Sequence, residues 1–257
     1  MLSVSTQIAV GDDLAVFARM LESVTFADEL IIFNMERKDQ GAKQLFQKYG
    51  AKVISIKTPK VVEEIRSQQV KEGSGDWVLI MDFDEVIPDN LKEEIKLIMD
   101  SQASCNGYFI PRTNFSLGYP LKRGGFAQDY VLRLIRRSAF VSWPTNIHST
   151  PIIKGATIKT TYAMEHHKDA SLEQMVKKTN RYSDIEASQF QVGGLPPVTP
   201  VTLIRKWWME SFRRGILRGG LLDGRIGLIQ SMYQGFSVFI SYAKLSELQT
   251  KNKKPNH

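Results

Sequence analysis

Three carboxylates fall within Asp82-Phe83-Asp84-Glu85, directly after the uninterrupted apolar run Trp77-Val78-Leu79-Ile80-Met81. Like charges packed this densely cost free energy unless a cation or hydrogen-bond donors offset them. Mg²⁺ and Mn²⁺ suit that task, because hard divalent ions prefer carboxylate oxygens and keep positions open for phosphate. In extended backbone Asp82 and Asp84 share one side and Phe83 takes the other, so two carboxylates could act on one metal–diphosphate unit. A helix N-terminus also gathers Asp and Glu, there to offset its dipole. Asp-x-Asp alone is therefore a weak pattern. Its position sharpens it: open α/β sheets bind ligands at the carboxyl ends of their strands.

The flanking elements predict such a sheet. A strand buried on both faces reads as a continuous apolar run, which Trp77 to Met81 is. Before it, a helix runs from after Pro59 to about Glu72 and ends at Gly73-Ser74-Gly75; after it, Pro88 opens a helix to about Asp100. Upstream, Leu2 to Thr6 reads as a strand. Asp12 to Val24 reads as a helix capped by Asp12 or Asp13, with Leu14, Phe17, Ala18, Leu21 and Val24 at helical spacing. Glu29 to Phe33 and Lys52 to Ile56 are strands on either side of a helix, Asp39 to Tyr49, that Gly50 stops. This alternation argues for a mostly parallel sheet sandwiched by helices.

The second half changes character. Gly107 to Pro111 and Tyr130 to Ile135 read as strands around a polar, Gly-rich loop from Thr113 to Gln128, with another strand or two between Ile147 and Ala163. Ser171 begins a long helix to about Gln189, and Gly193-Gly194-Leu195-Pro196-Pro197 forms a linker. Two helices close the chain, about Val201 to Leu217 and Asp223 to Leu248, followed by a loose tail. The expected organisation is an α/β domain over 1–168 carrying the acidic turn, a helical region over 169–250 and a tail over 251–257.

Composition narrows the class. With 257 residues, 42% hydrophobic and 24% charged, the chain suits one α/β domain, alone or with a helical extension, rather than a disordered segment. Its single cysteine, Cys105, excludes an internal disulfide and a Cys-based zinc cluster and fits a reducing compartment. Met1 to Ser5 lacks the basic start and apolar stretch of a secretory signal, and no run reaches the ~20 apolar residues that cross a bilayer. The expected location is the cytoplasm, with the inner face of the cell membrane as an option. That option comes from Arg205, Lys206, Arg213, Arg214, Arg218 and Arg225, interleaved with Trp207, Trp208, Phe212, Ile216 and Leu217. A basic, aromatic-rich helix of this kind lies on anionic membranes or packs its Trp and Leu inward; the last helix, apolar on most sides, packs inside the protein, in a homodimer interface or against lipid. No recognition motif accompanies the charge, so no nucleic-acid partner is expected.

The acidic stretch resembles the Asp-x-Asp-Glu segment of family 2 glycosyltransferases of the GT-A fold, especially small bacterial members of the lipopolysaccharide-core type. The likeness continues through Leu21-Glu22-Ser23-Val24, Ala27-Asp28-Glu29-Leu30-Ile31-Ile32, Lys48-Tyr49-Gly50-Ala51-Lys52-Val53, Leu222-Asp223-Gly224-Arg225-Ile226-Gly227 and Tyr242-Ala243-Lys244-Leu245. The resemblance implies a GT-A domain, Rossmann-like and α/β, with a helical C-terminal extension. It also implies a Mn²⁺ or Mg²⁺ cofactor and a nucleoside diphosphate sugar donor, a UDP-sugar foremost. The implied acceptor is a glycan or lipid-linked molecule of the cell envelope.

By the same resemblance Asp84 is the metal ligand, Asp82 contacts the ribose or the metal, and Glu85 supports the turn or the acceptor side. Asn34 stands where the family has an Asp at the end of its second strand; its side-chain oxygen still accepts from a uracil-like N–H. Asp12-Asp13 replaces the usual Asn-Glu after the first strand, and Asp39 matches a later acidic residue or caps a helix. Arg66 and Lys60 could reach nucleotide phosphates, or form surface salt bridges. Asp129 resembles the family's late acidic residue, which implies the base that deprotonates the acceptor hydroxyl. Its bland alternative is an ion pair with Arg133 or Arg136. His148 resembles a metal or diphosphate contact, with Ser149 where the family has Glu; His166 or His167 is a second such candidate.

Two other classes compete. A sugar nucleotidyltransferase also places an acidic pair and a metal on a related sheet, but lacks here the Gly-rich, basic loop expected after the first strand. A catalytically silent binding or scaffold protein is kept open by Asn34 and Ser149.

Overall fold

In the computed structural model the described residues are 1–101, 105–127, 129–146, 149–169 and 171–251. The elements follow in the order β1 (Leu2–Ala9), α1 (Leu14–Ser23), β2 (Glu29–Met35), α2 (Gln40–Lys48), β3 (Lys52–Ile56), α3 (Glu63–Lys71), β4 (Trp77–Ile80), β5 (Glu85–Val86) and α4 (Asp89–Asp100). Then come β6 (Cys105–Ser116), β7 (Tyr119–Pro120), β8 (Tyr130–Arg136), β9 (Phe140–Ser142), β10 (Ile152–Ile153), β11 (Ala156–Lys159) and β12 (Met164–Asp169). Helices α5 (Leu172–Val192), α6 (Pro200–Phe212) and α7 (Gly224–Lys251) close the chain. Two compact units emerge: Met1–Thr113 with Gln128–His167, and Asn114–Ala127 with Lys168–His257.

The first unit is built on a sheet in the order β3-β2-β1-β4-β8-β6-β12-β5. β1 pairs parallel with β2 and β4, and β2 parallel with β3, so their carboxyl ends share one edge. β8 then runs antiparallel to β4 and β6. The expected mostly parallel sheet flanked by helices is what forms. β1 at its centre is buried from Leu2 to Gln7 and on through Ile8, and it packs with Phe17, Met20, Trp77, Leu79 and Leu91 in one apolar core. The loop into β4 must pass close to β1: a Cβ at Gly75 would lie 2.7 Å from the Met1 carbonyl oxygen, and only glycine fits without a shift.

Local chemistry sets the helix boundaries. Asp13, not Asp12, caps α1, accepting from the Ala15 and Val16 N–H groups; Asp39 caps α2 and Ser171 caps α5. Three boundaries differ from the sequence expectation. β6 continues to Ser116 and pairs with β7, so part of the expected loop from Thr113 is a hairpin turned at Leu117 and Gly118. His166 and His167, beyond the strands expected up to Ala163, lie inside β12. Asp82 to Glu85 is a turn rather than a continued strand, because β4 ends at Ile80.

The second unit gathers α5, α6 and α7 with the β7 hairpin. Thr179 and Tyr233 hydroxyls meet at 2.7 Å, and Ser241 donates to Glu186 at 2.6 Å, joining α5 to α7. α6 crosses α7 at Gly235, where a Cβ would stand 2.0 Å from Ser211 Oγ and 2.7 Å from the Trp207 carbonyl oxygen. Between them the chain winds through a π turn, Arg213–Leu217, and a 3₁₀ turn, Gly220–Asp223. No described helix is long and apolar enough to cross a membrane.

Candidate functional site

The acidic turn sits at the carboxyl edge of the parallel strands. Pairing holds as far as the Met81 N–H, which reaches the Ser5 carbonyl at 3.0 Å, and then the chain reverses. Glu85 closes the turn twice: its N–H donates to the Asp82 carbonyl at 3.1 Å, and its Oε2 accepts from the Asp82 N–H at 2.8 Å. Its carboxylate is fully buried. The turn is also tied to β12, whose His167 N–H donates to the Asp84 carbonyl at 2.8 Å.

Burying carboxylates requires counter-charge, and arginines supply it. Asp82 accepts from Gln7 Nε2 at 2.7 Å and from the guanidiniums of Arg66 and Arg133. Glu85 Oε1 accepts from Arg112 and Arg133, each at 3.3 Å. Arg112 grips Asp129 with two bonds, at 3.0 and 2.8 Å. One ion-paired chain thus runs Asp82–Arg133–Glu85–Arg112–Asp129. Burial opposes ionisation of Asp82, but Arg133 and Arg66, with hydrogen bonds from Arg66 and Gln7, hold its carboxyl well below the usual carboxylate range. Burial likewise works against the charge of Arg112 and Arg133, and the facing carboxylates outweigh it, so both guanidiniums are held charged.

Asp84 belongs to a different group. Its Oδ1 lies 3.7 Å from His166 Nε2, whereas the neighbouring His167 turns to Glu165 at 2.8 Å. Asp82 thus meets arginines while Asp84 lies against His166, and the two do not continue one extended strand. The reason is the turn at Phe83-Asp84, which breaks the alternation of a strand.

The remaining sequence candidates are placed as follows. Arg66 is buried, not a surface salt-bridge former: it is 3% exposed and also donates to Gln7 and Gln69. Asp129 pairs with Arg112, which grips both of its carboxylate oxygens. Asn34 closes its own loop, accepting from the Arg37 N–H at 3.0 Å and donating to the Arg37 carbonyl at 2.9 Å. Asp12 Oδ2 accepts from the Ala9 N–H at 2.7 Å, and its carbonyl accepts from Arg37 at 2.6 Å. Arg37 also donates to Asp39 at 2.5 Å, so one guanidinium joins the loops after β1 and β2. His148 lies outside the described residues.

Gln7, Arg37 and Arg112 are central to this arrangement and were not singled out from the sequence. Gln7 had one signal, a polar residue directly before Ile8 in an otherwise buried strand. Arg112 and Arg37 had none, because an arginine after a strand is common and its partner lies far along the chain.

The donor set fits a divalent ion of a particular kind. Asp84 and His166, 3.7 Å apart, are the pair that would hold the ion. Among the described residues no group of three His, Cys, Asp or Glu side chains could hold a metal. Two protein donors suit an ion whose other ligands are phosphate oxygens and water, the usual habit of Mg²⁺.

No family model matches the chain. It is 27% identical to an uncharacterized glycosyltransferase of Rickettsia typhi over 98% of this chain and 90% of that one. It is 22% identical to the lipopolysaccharide core biosynthesis glycosyltransferase LpsC of Rhizobium meliloti, covering 99% of this chain and 96% of that one. A looser structural likeness, TM-score 0.45 at 10% identity over 98% of this chain and 79% of the other, is to the mannosyltransferase PcManGT of Pyrobaculum calidifontis in complex with GDP-Man and Mn²⁺. That likeness is too loose to carry fold or function. Along nearly its whole length, then, the chain is similar to glycosyltransferases, the class its acidic turn and flanking motifs resemble.

Proposed function

We propose that this chain is an inverting, metal-dependent glycosyltransferase that moves a sugar from a nucleoside diphosphate donor to a cell-envelope glycan or lipid-linked acceptor. The observation that carries the reading is the ion-paired chain from Asp82 to Asp129, with the Asp84–His166 pair beside it, at the ligand-binding edge of the sheet. The two relatives named above support the class, and LpsC supports an envelope acceptor.

In this reading Asp84 and His166 would hold the divalent ion, which neutralises charge on the departing diphosphate. Asp129 accepts the proton of the acceptor hydroxyl as that oxygen bonds to the anomeric carbon and the anomeric carbon–diphosphate bond breaks. Arg112 fixes the Asp129 carboxylate by its two-point grip, and Glu85 fixes Arg112. Asp82, held by Arg66 and Gln7, orients the donor's ribose. Asn34 and Asp12, at the ends of β2 and β1, border the nucleotide base.

Calorimetry with UDP and GDP, with and without Mn²⁺, tests this on wild type and Asp84→Ala. Metal-dependent binding of one nucleotide, lost in Asp84→Ala, is the expected outcome. Binding of neither by the folded protein would refute the donor assignment.

A further inference from the structure

The second unit carries a surface that transfer chemistry does not use. Helix α6 spans 13 residues and buries none of them. Its exposed row, Val201, Ile204, Trp208 and Phe212, follows helical spacing, and Trp208 and Phe212 stack at 5.0 Å. The row continues through the connecting turns, where Leu217 is 70% and Leu222 is 72% exposed. On α7, Leu228, Met232 and Phe236 are also exposed and with Trp207 line a shallow apolar groove of about 450 Å³. Exposed apolar side chains gathered on two helices and the turns between them mark an interaction site.

Its cations say what covers it. Arg205, Arg218 and Arg225 are exposed and lie within or at the ends of the same rows, and none makes an ion pair among the described residues. The two acids of this stretch are already engaged: Glu210 holds Arg213 and Arg214, and Asp223 accepts from the Lys122 and Arg123 N–H groups. A second copy docked about a two-fold axis would bring these arginines near their own images, with both nearby acids already occupied. An anionic lipid surface complements both features at once, taking aromatic and aliphatic side chains into the headgroup layer and arginines onto phosphate.

We propose that α6, the following turns and the start of α7 form a docking face for an anionic bilayer, with Trp208 and Phe212 inserted and Arg205, Arg218 and Arg225 on the headgroups. This deepens the proposed envelope transfer by naming what holds the enzyme near a lipid-linked acceptor, and it rests on that reading only for the acceptor.

The test is sedimentation of the full chain with vesicles of phosphatidylcholine, with and without phosphatidylglycerol, at low and high salt. Binding is expected only with phosphatidylglycerol and weakens with salt. Neutralising Arg205, Arg218 and Arg225 together to Gln should lower partition on the order of a hundredfold. Trp208→Ser should lower it about tenfold. Circular dichroism and nucleotide binding report that these variants stay folded. Absence of lipid binding, equal binding to neutral vesicles, or a concentration-dependent dimer abolished by Trp208→Ser would each overturn the docking face. Asp84→Ala should lose nucleotide binding and leave vesicle binding unchanged; failure of the wild-type protein to bind nucleotide counts against the transfer reading and not against this one.

Discussion

At the scale of single residues, the site is a set of carboxylates whose charges are offset by arginine. Removing one member leaves a buried charge without its partner, and such losses cost about 3–5 kcal/mol. Asp82→Ala is expected to destabilise by about that amount in urea titration, since it strips Arg66 and Arg133 of a shared anion. The same pair predicts a pH dependence. The Asp82 carboxyl titrates lower in the fold than in the unfolded chain, so its contribution is full above the unfolded value of about 3.9 and is lost as pH falls towards the folded one. Acid titration of wild type should therefore show a loss of stability below that value that Asp82→Ala lacks. Asp129 sits in the same network but is assigned a different task. Asp129→Asn should lower kcat by about 10²–10⁴ and leave donor binding within about twofold, the pattern of a lost base.

At the scale of elements, what matters is how closely backbones approach. α6 and α7 cross at Gly235, where a side chain would collide with Ser211 and Trp207. Gly235→Ala is expected to cost about 1–3 kcal/mol by overpacking, read from thermal unfolding, despite alanine's better helix propensity. Asp13→Ala should cost about 1 kcal/mol, because the Ala15 and Val16 N–H groups lose their cap. Asp12→Ala leaves that cap intact, so the two adjacent aspartates are distinguishable by stability alone. The turn from Asp82 to Glu85 shows why local pattern misled about geometry. Alternation assigns Asp82 and Asp84 to one face, but Glu85 reaches back to the Asp82 N–H and ends the strand pairing. A side chain folding onto its own backbone is invisible to periodicity.

At the scale of the whole molecule, the proposed metal should matter for binding and not for folding. On the proposed reading Asp84 and His166 supply two donors and the donor phosphates the rest, so chelation is expected to leave the melting temperature of the unliganded protein unchanged. Mn²⁺ together with a saturating donor nucleotide at about 100 times its Kd should add about 2.7 kcal/mol, a rise of roughly 5–10 °C. Differential scanning fluorimetry checks both arms; stabilisation by Mn²⁺ alone would point to a protein-built metal cage instead. The two compact units also divide the chain differently from a simple cut near residue 168, because Asn114–Ala127 belongs with the C-terminal helices. The Asp223 carboxylate and the Arg214 guanidinium hold that insert, through the Lys122 and Arg123 N–H groups and the Gly124 carbonyl.

Much of this was legible in the residues themselves. The run Trp77 to Met81 reads as a strand buried on both faces, and the alternation around it argues for helices on both sides. The carboxylates after it had to lie at the sheet's carboxyl edge, since parallel connections leave them nowhere else. Caps such as Asp39 and Ser171 followed from side chains short enough to reach their own helix N–H groups. These are properties of neighbours in sequence, set by covalent geometry and solvation. The partners of the carboxylates are not. Arg133 meets Asp82, and Arg112 meets both Glu85 and Asp129, across separations of 51, 27 and 17 residues. Charge complementarity alone allows many such pairings; only the register of β8 and β6 against the sheet selects these. His166 came to Asp84 in the same way, through the antiparallel pairing of β12 with β5. The sequence determined which groups the molecule has for chemistry and which edge they occupy, and tertiary packing decided which of them touch.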